Sequence, residues 1–117
     1  MTMVDAADAL VVLNVPPELE GTVVDWLLEH TGGAGFTSFA VSGHSTSHED
    51  LSISEQVSGS QRRQLFQVQI SAAAVQDLLA DAQEKLGAAD IRYWVLPVMR
   101  AGRLADDLRS RSSGMPD

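Results

Sequence analysis

His44 and His48 stand four residues apart in a stretch that also carries Glu49, Asp50 and Glu55. Two neutral imidazoles and a carboxylate form a ligand set suited to zinc, copper(II) or nickel(II), with His44, His48 and Glu55 as the candidate ligands. On a helix the i, i+4 spacing would turn both rings toward one ion. Ser45, Thr46 and Ser47 between them disfavour a helix, however, and the HExxH pattern is missing, so two solvated loop histidines are the simpler reading and metal binding the alternative. Ser45, His44 and Asp50 supply the residue types of a hydrolase triad, but no nucleophile-elbow or oxyanion-loop signature accompanies them. No catalytic residue is assigned, and the chain reads as non-enzymatic. His30, late in a helical pattern, suits a partner for the negative end of a helix dipole.

A second set of groups is cationic. Arg62 and Arg63 follow the histidine stretch directly, and Arg100 and Arg103 follow the last apolar run. If these two regions met, four guanidinium groups would converge, and such a cluster needs either a bound anion or acids of the same chain such as Glu55 or Asp106. Solvated arginines with local ion pairs are the competing reading. Charge is distributed asymmetrically: the first 61 residues contain nine acids and no Lys or Arg, while all eight cations come later and seven of them are Arg. With a net charge of −8 over 117 residues, the chain repels phosphate backbones and anionic membranes, which argues against nucleic acid as a partner and against membrane insertion. The absence of cysteine excludes disulfides, thiolate nucleophiles and Cys-based zinc sites. No apolar run reaches the roughly 18–20 residues of a membrane span, and a soluble cytoplasmic protein without a signal peptide is expected.

The elements that must position these groups follow from hydrophobic period. Residues 8–15 (DALVVLNV) are almost continuously apolar and stop at Pro16-Pro17, as a central strand would. Pro17, Glu18 and Glu20 start a helix whose apolar positions Leu19, Val23, Trp26 and Leu27 share one face, and Gly32-Gly33 stops it. Residues 35–43 and 64–70 alternate as two strands of a hairpin, the second with Phe66, Val68 and Ile70 inward and Leu65, Gln67 and Gln69 outward. Ser71 is placed to cap a second helix bearing Val75, Leu78, Leu79, Ala82 and Leu86, and residues 91–98 (IRYWVLPV) form the last strand. The order β-α-β-β-α-β predicts an α+β, ferredoxin-like sandwich, one domain over residues 1–109 with a polar, disordered tail at 110–117.

Two features exceed that scaffold. The first and last strands of the pattern are apolar on two faces while helices cover only one, so the helix-free face is expected to meet another subunit, with Trp94 in the interface. Gln67 and Gln69 on that face, in place of aromatic residues among cations, argue against an RNA-binding sheet. Between the hairpin strands, the 17 residues 44–60 far exceed an ordinary hairpin loop and hold two of the three histidines.

Residues Val24-Asp25-Trp26-Leu27-Leu28, Gly43-His44-Ser45, Leu51-Ser52 followed by Glu55-Gln56-Val57 and Gly59, then Tyr93-Trp94-Val95 and Gly102-Arg103 resemble the PII-like signalling proteins, in particular the subfamily called PII-NG, whose members tend to be encoded beside heavy-metal efflux pumps of the RND type. The likeness runs from Leu10 to Leu104. It implies a homotrimer, a T-loop at 44–60 that contacts a partner protein in a ligand-dependent way, and control of a metal-efflux transporter. It also implies ligand clefts between subunits, with His44, Ser45, Glu55, Gln56 and Gly59 joining Arg62, Arg63, Arg100 and Arg103, and a nucleotide, bicarbonate or divalent metal as the ligand. Three departures stand out. The turn before the last strand reads Gly87-Ala88-Ala89-Asp90, without the second glycine and the lysine of the classical nucleotide cradle. The only tyrosine, Tyr93, lies outside the loop, and Ser60 occupies a position where the subfamily often has Arg.

Overall fold

A computed structural model describes residues 8–31, 35–44 and 60–106. Strand β1 (Asp8–Val15) ends at the prolines, and Pro17 opens a 3-10 turn, Pro17–Leu19, that runs into helix α1 (Glu20–His30). Proline is at home there because a first-turn N–H has no helical acceptor in any case. Strands β2 (Phe36–His44) and β3 (Ser60–Ser71) form the hairpin, helix α2 (Val75–Leu86) follows a 3-10 turn at Ala72–Ala74, and β4 (Arg92–Val98) closes the sheet. All neighbouring strands are antiparallel, in the order β2-β3-β1-β4. This is the expected ferredoxin-like arrangement.

Packing follows the predicted faces. Val11, Leu13 and Val15 of β1 and Phe66 and Val68 of β3 meet Val23, Trp26 and Leu27 of α1 and Leu78 of α2 in one buried cluster. Leu19, Val75, Leu79, Ala82 and Leu86 pack against its margin. Burying each large side chain in this set contributes about 1.5–3 kcal/mol. Residues directly opposite in an antiparallel ladder share a face, so the pairs Val12–Trp94, Leu10–Leu96 and Phe39–Leu65 lie on the side away from the core cluster. There Trp94, Leu96 and Phe39 remain 42%, 46% and 41% exposed. The helix-free face is therefore apolar in its middle, as the two-sided pattern of β1 and β4 predicts.

Two local expectations differ from what forms. The hairpin is longer than its apolar alternation indicates: β3 begins at Ser60, and pairing with β2 extends to His44↔Ser60. Backbone hydrogen bonds need no apolar side chain, so Gln61, Arg62 and Arg63 continue the ladder past the point where the pattern stops. Ser71 ends β3 without giving a side-chain cap, and the 3-10 turn with its Val75 N–H bonded to the Ala72 carbonyl starts α2 instead. The expected tail at 110–117 and most of the 44–60 connection, residues 45–59, lie outside the described residues. No helix among the described residues is long and apolar enough to cross a membrane.

Candidate anion site at the base of the 44–60 connection

Strand alternation separates Arg62 from Arg63. Arg62 pairs with Ser42 and is exposed, whereas Arg63 points to the opposite face and is only 5% exposed. The aliphatic stem of Arg63 passes close over Gly43, where a Cβ would stand 3.4 Å from its Cγ. Its guanidinium then reaches two other parts of the chain. Nη2 donates to the Asn14 carbonyl at 2.8 Å and to the Asp90 carbonyl at 2.9 Å, and Nε donates to Asn14 Oδ1. Nη1 stands 3.6 Å from Asp90 Oδ2. A buried cation without such acceptors would be strongly unfavourable, and the fork geometry of arginine satisfies several oxygens at once. One side chain thus joins β3, the end of β1 and the turn between α2 and β4.

That turn is the Gly87-Ala88-Ala89-Asp90 segment. The Gly87 N–H bonds the Gln83 carbonyl, the Ala89 N–H bonds the Leu86 carbonyl, and the Ile91 N–H bonds the Ala89 carbonyl, which presents the Asp90 carbonyl to Arg63. Arg92 follows at once, exposed and directly opposite Asn14. The sheet end from which the long connection leaves therefore carries one buried and at least two exposed guanidinium groups, with Arg62 on the helix side.

The remaining candidates are placed as follows. His44 is exposed at the end of β2, paired with Ser60. Ser45, His48, Glu55, Gln56 and Gly59 lie outside the described residues. Among the described residues no three His, Asp or Glu side chains are grouped to hold a metal ion. Arg100 and Arg103 are exposed beyond Val98, whereas Arg63 sits at the Arg92 end of β4; the strand between them spans about 20 Å at ~3.3 Å per residue. Within one chain the two arginine pairs are not brought together. An acid that stands on Arg63 is Asp90, which the sequence did not single out; the expected Glu55 lies outside the described residues.

Sequence reasoning missed Asn14, Asp90 and Arg92. Only Arg92 left a signal, because the alternation that puts Trp94 and Leu96 outward puts Arg92 on the same side. It also missed a polar cleft between the helices. Trp26, buried as expected, donates its indole N–H to Asp81 Oδ2 at 2.7 Å, and Lys85 Nζ lies 3.2 Å from Asp81 Oδ1. The Trp26 hydrogen bond, aided by Lys85 and opposed by partial burial, holds the Asp81 carboxyl below its ordinary range. His30, in the last turn of α1, lies 5.6 Å from the Trp26 ring between centroids. A separate groove of about 400 Å³ runs between α2 and β4, with Leu13, Leu79, Leu86, Ile91 and Tyr93 among its walls.

Comparison with known proteins adds the following. The family described as "Protein of unknown function (DUF3240)" matches residues 6–105, and the chain belongs to that family. No curated protein sequence matches it. A DUF3240 family protein from Shewanella baltica superposes with a TM-score of 0.66 at 23% identity, covering 82% of this chain and 94% of the other. CutA from Synechococcus elongatus, complexed with Bis-Tris, gives 0.63 at 15% identity over 90% and 93%. CPII from Thiomonas intermedia, a nitrogen regulatory PII-like protein bound to ADP, AMP and bicarbonate, gives 0.58 at 20% identity over 83% and 93%. The fold is thus shared with PII-like and CutA proteins.

Proposed function

We propose that this member of the DUF3240 family is a non-enzymatic, cytoplasmic regulatory protein. It works as a homotrimer whose T-loop-like connection changes its contact with a partner when an anionic ligand binds. The observation that carries this reading is the position of Arg63: a buried guanidinium at the root of a long polar connection, bonded to the turn that precedes β4. A ligand that alters either end of that link reaches the other. The likeness in fold to a PII-like protein bound to nucleotides and bicarbonate supports the same ligand classes here. The exposed apolar middle of the helix-free face, around Phe39, Trp94 and Leu96, supports assembly with further copies. In such a trimer Arg100 and Arg103 of one subunit would approach Arg62 and Arg63 of the next. A heavy-metal efflux transporter is the partner that the sequence resemblance favours.

Hydrogen exchange over residues 45–59, with and without ADP, AMP, bicarbonate or divalent metal, tests the reading. Protection of that stretch by one of these ligands, together with a raised melting temperature, is the expected result. Unchanged exchange with every ligand would refute a ligand-responsive loop.

A further inference from the structure

The ion pair on Arg63 is unequal. On one side the guanidinium is held by Asn14 and by the backbone carbonyl of Asp90, contacts that involve no charged acceptor. On the other, the Asp90 carboxylate stands 3.6 Å from Nη1 with its side chain 59% exposed. Charge-assisted N–H···O bonds close to about 2.7–2.9 Å, so this carboxylate lies beyond a tight contact and in good reach of water. Water therefore reaches the carboxylate side of the pair and screens it, although the guanidinium itself is buried. A cation that is nineteen parts in twenty removed from solvent is therefore paired with a loosely held anion. The contacts to Asn14 and to the Asp90 backbone do not depend on the Asp90 carboxylate, so Arg63 stays in place if that side chain swings out.

We propose that the Asp90 carboxylate is a built-in occupant of an oxyanion position on Arg63, which a phosphate- or carboxylate-class anion takes over by displacing it. The inference rests on the reading of the chain as an anion-responsive regulator and names the residue that sets its threshold. Asp90 reaches Arg63 from the exposed side, so the incoming anion has an open approach, and exposed Arg92 opposite Asn14 adds favourable potential along that path. Asp90 then acts as an internal competitor: it keeps the buried cation neutralised when no ligand is present and weakens every anion that binds. Displacement frees the Asp90 side chain from the guanidinium, which keeps its hold on Asn14 at the end of β1.

The test is a titration with inorganic phosphate, and in parallel with bicarbonate, at constant ionic strength. The native chain is compared with Asp90→Ala, and the Arg63 Nε–Hε resonance and the amide signals of residues 87–92 are followed. Removing the competitor should tighten binding of at least one of the two anions, by up to about fivefold, the scale of a water-screened ion pair. The shifts should centre on Arg63. Melting temperatures check that Asp90→Ala keeps the fold, as its exposed side chain predicts. Equal affinity in the two proteins, or shifts confined to residues away from Arg63, would overturn the proposal. The two readings fail separately. Loop protection by a ligand without any gain in Asp90→Ala removes the competitor role alone, whereas a gain in Asp90→Ala with no ligand-dependent protection of residues 45–59 removes the regulatory reading alone.

Discussion

Trp26 and Asp81 stand 55 residues apart in sequence, and a 2.7 Å hydrogen bond between them joins α1 to α2. The two helices lie in one layer, so this contact fixes their relative position as well as satisfying an indole N–H in a largely buried ring. Lys85, one turn further along α2, holds the other carboxylate oxygen.

Asp81 should therefore make stability depend on acid. Its folded-state carboxyl is held below the unfolded value of about 3.9, so its contribution is complete above about pH 4 and is lost as pH falls through the lower folded value. Asp81→Asn retains an acceptor for Trp26 but removes the charge. Urea midpoints of the variant should lie below those of the native chain at pH 7, with the gap narrowing below about pH 4. A gap that stays constant or widens in acid would contradict the assignment.

Assembly through the helix-free face predicts that a charge at its apolar centre dissociates the particle. Leu96→Glu, alone or with Trp94→Glu, should convert about three chains per particle to one by light scattering at micromolar concentration, with far-ultraviolet circular dichroism retained. Phe39 lies on the far side of the same face and should behave alike. A native chain that is already monomeric would end this prediction.

Convergence of arginines across subunits predicts that Arg103→Ala weakens binding of nucleotide or bicarbonate by about 1.5–3 kcal/mol, the scale of a lost charge-assisted hydrogen bond, and leaves the trimer intact. If Arg103 serves only the subunit contact, the same change lowers trimer stability at constant ligand affinity. Calorimetry and light scattering on one sample separate these outcomes.

Direct metal binding makes a different prediction. With His44 and His48 as ligands, zinc, copper(II) or nickel(II) affinity should fall below about pH 6 as the imidazoles protonate. It should also collapse in the double variant His44→Ala with His48→Ala. Unchanged calorimetric affinity in that variant removes the histidines from any site.

Much of the scaffold was legible because it rests on periodicity. The unbroken apolar run of β1, the alternation around Phe66 and Val68, and the helical spacing of Val23, Trp26 and Leu27 each report a face that must be buried, and the core contains those residues. Strand ends were less legible: Gln61 to Arg63 extend β3 through backbone pairing alone. The Arg63 network was hidden for another reason. Its partners Asn14 and Asp90 lie 49 and 27 residues away, and neither differs by type from an ordinary surface residue until the sheet brings them together. Adjacent arginines were read as one group, although alternation on a strand sends neighbours to opposite faces. Arg62 and Arg63 obey the alternation.

Strand β3 pairs with β1 along Gln64 to Ser71 and with β2 along Ser60 to Val68, so that Gln64 to Val68 are paired on both flanks. Its register is thus fixed twice over, independently of whatever joins His44 to Ser60. The entropy of closing a flexible connection grows only logarithmically with length, by about 0.6 kcal/mol for each doubling. On this closure term alone, foreign sequence of a different length grafted between those two residues would leave the sheet in register.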